Sequence, residues 1–342
     1  MAGGGQLNSV NFSTALHRMA RFCSNNRAIR KKTLTDPRFA LFICSLSEAM
    51  AGMDYTLSLS EYHESSDINS SKKKGKSLSF TSRECSNIAW SIAKIQLAPP
   101  ASALPLDLSN ELNHAIVATC LKCRSQVLEG SRERQQLWIP TLSLLSGQLL
   151  DAISYGSNKA TTSFNTQESA NLLWSLATAQ RADKDVFEHI SSSLVANLST
   201  QTKPQEFSNS IWAFGKSRIH CKGQELLLRY TADALKDDQL FVDKWKSNEL
   251  SNAAWGCATI LSNKSNRSPE EDACAVSILR TVANELIKRP DDFRSQEITN
   301  SCWAMATLGF GISAETGSAS NDYTFLMTDD PVGDRQLMER AL

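Results

Sequence analysis

Residues 164–177 read FNTQESANLLWSLA, and four other stretches carry the same pattern. Aligned on the tryptophan, they are 80–93 (FTSRECSNIAWSIA), 202–215 (TKPQEFSNSIWAFG), 245–258 (WKSNELSNAAWGCA) and 293–306 (FRSQEITNSCWAMA). Glu84, Glu168, Glu206, Glu249 and Glu297 stand six residues before the tryptophan, and Asn87, Asn171, Asn209, Asn252 and Asn300 three before it. Trp90, Trp174, Trp212, Trp255 and Trp303 are the aligned residues themselves. Five agreements at three fixed positions mark an internal repeat, and a repeat decides the architecture before other features are weighed.

Each copy opens like a helix. Ser82, Thr166, Ser247 and Ser295, eight before the tryptophan, are expected to cap free backbone N–H groups, with Pro204 in their place in the third copy. The glutamate two positions later suits a first turn, where the helix dipole favours a carboxylate. Small residues four before the tryptophan (Ser86, Ala170, Ser208, Ser251, Thr299) and three after it (Ala93, Ala177, Gly215, Ala258, Ala306) are seven apart and so share a face. That face predicts a helix packed closely on a neighbour, with indole filling the gap. The repeated asparagine lies at its edge and is expected to bond to backbone of an adjoining turn or helix. Trp and Asn are therefore read as repeat scaffold.

The position seven before the tryptophan differs. Arg83, Gln167, Gln205, Asn248 and Gln296 are all polar but not identical. Two readings stay open: an ordinary solvated first turn, or a column of groups that contact bases or phosphates, one per unit.

The spacing from Trp90 to Trp174 is 84, about twice the later intervals of 38, 43 and 48, so a decayed unit is expected between them. Trp138 would be its relic or a core residue. Amphipathic stretches at 185–198, 225–236 and 272–288 predict second helices, and 106–128 and 137–153 are also helical. Residues 8–22 resemble a weakened repeat helix with His17 in the tryptophan slot, Ser13 and Ala20 at the small positions and Ser9 as cap. Residues 37–53 would be its partner helix. Residues 1–35 also lack Asp and Glu while carrying six Arg and Lys, a composition shared by organellar targeting segments; both readings can hold in part. The expected organisation is thus a helical pair at 1–60, a polar, lysine-rich loop at 61–78, and a repeat array at 79–342. Its last unit looks incomplete, as in a fragment or a unit with a shortened helix. No strand-like alternation of useful length occurs. The expected fold is all-α, an α-solenoid (superhelix) of stacked helical hairpin repeats of about 38–48 residues.

Composition narrows the function classes. The 342 residues have a formal net charge of zero, so any phosphate-gripping face must be local. No run of about 18 apolar residues occurs, and no membrane insertion is expected. Nine cysteines, several inside repeat helices, suit free thiols in a reducing compartment. The CxxC at Cys120 and Cys123 has no second pair, so no metal is expected. Gly75–Lys76–Ser77 lacks the upstream glycine of a phosphate loop, Ser70 standing there instead. With no metalloprotease, nucleophile-elbow, kinase or dinucleotide signature, neither catalysis nor a cofactor is expected.

The pattern aromatic-x-Ser/Pro-Gln-Glu-x-x-Asn-x-x-Trp-Ala-x-Ala resembles the octotricopeptide-type repeat, and the related helical repeats that precede RAP domains in FAST-kinase-like proteins. Its clearest instances are 167–177, 205–215 and 296–306, and the resemblance spans 80–310 and extends to 8–53. No stretch matches the RAP module itself. The resemblance implies a superhelical α-solenoid that binds single-stranded organellar RNA in a concave groove, in a mitochondrion or chloroplast. It implies a role in transcript processing, stability or translation, with protein partners in a ribonucleoprotein complex. On that reading the contacts fall to Arg83, Gln167, Gln205, Asn248 and Gln296, with Lys203, Lys246 and Arg294, nine before their tryptophans, for phosphate. The rival expectation is a protein-binding scaffold of the same form, which neutral charge favours.

Overall fold

The computed structural model describes residues 8–24, 26–51, 80–98, 109–128, 138–159, 164–236 and 243–310. Among these the chain is all-helical, with 13 α-helices, one short 3-10 turn (Pro290–Asp292) and no strand. The expected loop at 61–78 and the expected incomplete unit beyond 310 lie outside the described residues. The chain divides into two compact units, one of residues 1–163 with 179–181, the other of 164–178 with 182–342.

The first unit holds α1 (Ser9–Ser24), α2 (Arg27–Leu34), α3 (Pro37–Met50), α4 (Ser82–Ile95), α5 (Ser109–Leu128) and α6 (Trp138–Lys159). Helix α1 packs on α4, and α3 on α5, with α6 against α3, α4 and α5. His17 lies on Trp90 with ring centroids 4.7 Å apart, as its place in the tryptophan slot requires. Ser13 and Ala20 are buried on either side of it. Trp138 is a core residue, buried in the first turn of α6. Helix α2, which the apolar pattern did not reveal, is capped by Asn26, whose Oδ1 accepts from the N–H groups of Ala28 and Ile29.

The second unit holds α7 (Thr166–Thr178), α8 (Lys184–Ala196), α9 (Pro204–Ser217), α10 (Lys222–Lys236), α11 (Ser247–Ser262), α12 (Pro269–Lys288) and α13 (Ser295–Thr307). The repeat helices α7, α9, α11 and α13 pack on one another in order. The second helices α8, α10 and α12 do the same in another layer. Between the layers Phe187 meets Phe214 edge-on at 5.3 Å, and Ile211, Leu227, Leu228, Ile278 and Leu279 of the same unit are fully buried too. All nine cysteines are free.

The repeated glutamate fixes where each repeat helix begins. Its carboxylate reaches back to the backbone N–H three residues earlier: Glu84 to Thr81 at 2.8 Å, Glu168 to Asn165 at 3.1 Å, Glu206 to Lys203 at 3.4 Å, Glu249 to Lys246 at 3.0 Å and Glu297 to Arg294 at 2.9 Å. This is the glutamate half of a capping box, so the cap lies nine before the tryptophan and not eight. Ser82, Thr166, Ser247 and Ser295 are the first helical residues, where a hydroxyl cannot cap its own helix. Replacing buried Glu249 by alanine frees the N–H of Lys246 and is expected to cost about 1 kcal/mol, as other cap losses do. A urea-unfolding midpoint that did not move would contradict this role.

In the second unit the residue before each cap turns inward. Phe164, Trp245 and Phe293 are buried, and Trp245 stacks on Phe207 of the preceding repeat helix at 6.2 Å. Thr202 takes this place in the third copy and is buried too.

Candidate functional site

On an ideal helix, positions seven and three before the tryptophan, the tryptophan, and four after it fall within a sector of about 60°. In every repeat helix the small positions four before and three after lie beside this sector. They are buried in α4, α7, α9 and α11, while Thr299 and Ala306 of α13 are exposed. In the second unit the small side therefore packs on the next repeat helix, as Ser251 Oγ shows by donating to the carbonyl of Glu297 at 3.0 Å. The remaining sector is left facing solvent.

That sector carries three columns in the second unit. The first is Gln167, Gln205, Asn248 and Gln296, all exposed. The second is Asn171, Asn209, Asn252 and Asn300, all half-exposed. Contrary to expectation, none of these carboxamides hydrogen-bonds to another described residue. The third column is an indole ladder. Successive centroids from Trp174 through Trp212 and Trp255 to Trp303 are 6.2, 6.1 and 6.3 Å apart, with interplanar angles of 31°, 32° and 31°. The rings are half-buried against each other, and Trp303 at the end is 44% exposed. They hold neighbouring helices in register, and leave an edge in water. Within the first unit, α4 repeats the arrangement with Arg83 exposed and Asn87 and Trp90 half-exposed.

Lys203, Lys246 and Arg294 are the cap residues themselves, exposed at the N-terminal end of the same stripe. Their backbone N–H groups serve the caps, and their charged ends form no ion pair with a described residue. An open cleft of about 550 Å³ between α11 and α13 brings together Lys246, Asn248 and Arg294, with Lys244, Asp243 and Asp292 beside them. The acids there are engaged. Asp243 pairs with Lys288 at 2.9 Å, which holds its carboxyl below the usual range; Asp292 faces Arg289 at 3.5 Å, and Glu297 accepts from the Arg294 N–H. The cleft lining carries four cations against three acids, a small positive excess, and Lys246 and Arg294 are in no ion pair with a described residue, although the chain is neutral overall.

Sequence reasoning missed one feature of the stripe. In α4 and α9 the residue four after the tryptophan joins the stripe, where Lys94 lies over the Trp90 ring at 5.8 Å and Lys216 is exposed, whereas Thr259 at this place in α11 is buried. Helical periodicity was the signal available for it. In α1, His17 is partly buried, and burial, then the charge of Arg21, hold its imidazole below the ordinary value. It serves as a neutral ring in the stack.

The CxxC resolves into packing. Cys120 and Cys123 are buried with Cys44, and hydrogen bonding with Cys120 leads in pushing the Cys44 thiol up to about 12. Among the described residues no group of three or more His, Cys, Asp or Glu is placed to hold a metal ion, and no helix is long and apolar enough to cross a membrane. A scan of protein-family models finds none that matches this chain, and a search of curated proteins finds no significant match.

Proposed function

We propose that this chain is an RNA-binding repeat protein of the octotricopeptide type, an α-solenoid of helical hairpins that holds single-stranded RNA along its repeat helices. The observation that carries the reading is the pairing, on one solvent-facing stripe of the second unit, of an exposed column of glutamine and asparagine with cations at the helix starts that form no ion pair with a described residue. A side chain that varies from unit to unit suits bases that vary from nucleotide to nucleotide, which is how helical-repeat readers work. Cations at one end of the stripe suit the phosphates. Arg83, Gln167, Gln205, Asn248 and Gln296 make the base contacts, and Lys203, Lys246 and Arg294 the phosphate contacts. The resemblance of the motif to repeats of organellar RNA-binding proteins supports a role in a mitochondrion or chloroplast, in transcript processing, stability or translation.

The test is fluorescence anisotropy of the purified chain with a pool of single-stranded RNAs at several salt concentrations. Binding that weakens steeply with salt, with some sequences held above others, is expected. Absence of binding at low salt would overturn the reading, and the stripe would then be the surface of a protein-binding scaffold.

A further inference from the structure

The asparagine column is an exposed part of the stripe to which the proposed reading gives no contact. Resting on that reading, we infer that it recognises ribose: each carboxamide exchanges hydrogen bonds with the 2′-hydroxyl of the nucleotide held by its unit. An identical side chain in every unit can only recognise something identical in every nucleotide, which excludes the bases and leaves the sugar and the phosphate. The carboxamide is neutral and both donates and accepts, as a hydroxyl does, whereas phosphate only accepts. Phosphate already has Lys203, Lys246 and Arg294 nearby.

The geometry suits an extended strand. Successive indoles along the stripe are 6.1–6.3 Å apart. That is nearly twice the rise of about 3.4 Å per nucleotide in a stacked strand. One nucleotide per unit is therefore unstacked, with its sugar open to a neighbouring side chain. Asn171, Asn209, Asn252 and Asn300 stand one turn before the indoles, half-exposed, with no bond to a described residue that RNA would have to displace. The 2′-hydroxyl is also the group by which a protein tells RNA from DNA.

The experiment compares the full chain with Asn171→Ala, Asn209→Ala and Asn252→Ala, singly and together. One sequence is offered as RNA, as DNA and as 2′-O-methyl RNA. The parent is expected to prefer RNA over both. Each substitution is expected to lower RNA affinity about three- to tenfold, the yield of one hydrogen bond. The triple variant is expected to lose the preference for RNA, while DNA affinity, salt slope, the ranking of RNA sequences and the unfolding midpoint stay put. A triple variant that keeps its preference overturns the inference and leaves RNA binding standing. An affinity loss shared by RNA, DNA and 2′-O-methyl RNA overturns it in favour of phosphate contact, and a fallen unfolding midpoint in favour of a purely structural amide. A parent that binds no RNA removes the proposed function and this inference together.

Discussion

Gly256→Val is expected to be the most destabilising single change on the repeat helices, lowering stability by about 3 kcal/mol, at the upper end of overpacking losses. A Cβ built on Gly256 of α11 would stand 2.7 Å from the carbonyl oxygen of Ile211 on α9 and 2.8 Å from its carbon. Those are backbone atoms, so no rotamer change relieves the clash and the two helices must part. Gly215 on α9 faces the same spot, its added Cβ 3.0 Å from the Cα and oxygen of Gly256. Glycine inside a helix costs about 1 kcal/mol relative to alanine, so two at one crossing point to a contact that only glycine permits. Parting α9 from α11 also separates the rings of Trp212 and Trp255, and such aromatic pairs contribute about 0.5–1.5 kcal/mol each. Gly156→Ala in α6 is the control, since a Cβ there meets nothing within 4 Å and is expected to stabilise by up to about 1 kcal/mol. Equal urea midpoints for Gly256→Val and the parent would mean that the crossing is looser than described.

The second large effect concerns charge. Replacing Lys203, Lys246 and Arg294 together by glutamate is expected to weaken binding to single-stranded RNA by about 100-fold or more at low salt. The slope of log affinity against log salt is expected to fall by about 2, at roughly 0.7 for each phosphate of a single strand that is no longer neutralised. Folding is expected to be untouched, because these residues hold their caps through backbone N–H groups, bonded to Glu206, Glu249 and Glu297. Titrations across salt, with circular dichroism as the folding control, decide it. An unchanged slope would remove the three cations from the interface.

Much of the fold was legible because helix periodicity and the five-fold motif state it directly. The second helices were expected at 185–198, 225–236 and 272–288 and form at Lys184–Ala196, Lys222–Lys236 and Pro269–Lys288. His17 was put in the tryptophan slot of a weakened repeat helix from register, and in the structure its ring lies on Trp90. The helix start was misplaced by one residue because serine and threonine are strong cap formers in general, whereas here Glu at the third helical position sets the register. Exposure of the varying polar column followed from its place in the first turn. The asparagine was harder. Identity across units looks the same whether a residue packs in the scaffold or meets a part of the ligand that never varies. Only its surroundings bear on the choice, and the side chain is half-exposed and bonds to no described residue. The glycine crossing was illegible for another reason, since a small residue in one helix says nothing about which atoms of another approach it.

The equal steps of the indole ladder make the junctions between units interchangeable. Each pair of neighbours in the second unit meets at nearly the same ring distance and tilt, through the same motif positions. A unit gained by duplication would meet neighbours already shaped to receive it, so the array can lengthen without a new interface being invented. The crossing of Gly215 on Gly256 is the exception. Its fit belongs to one pair of helices, so a unit inserted there would have to bring matching glycines, and that joint is the least free to change.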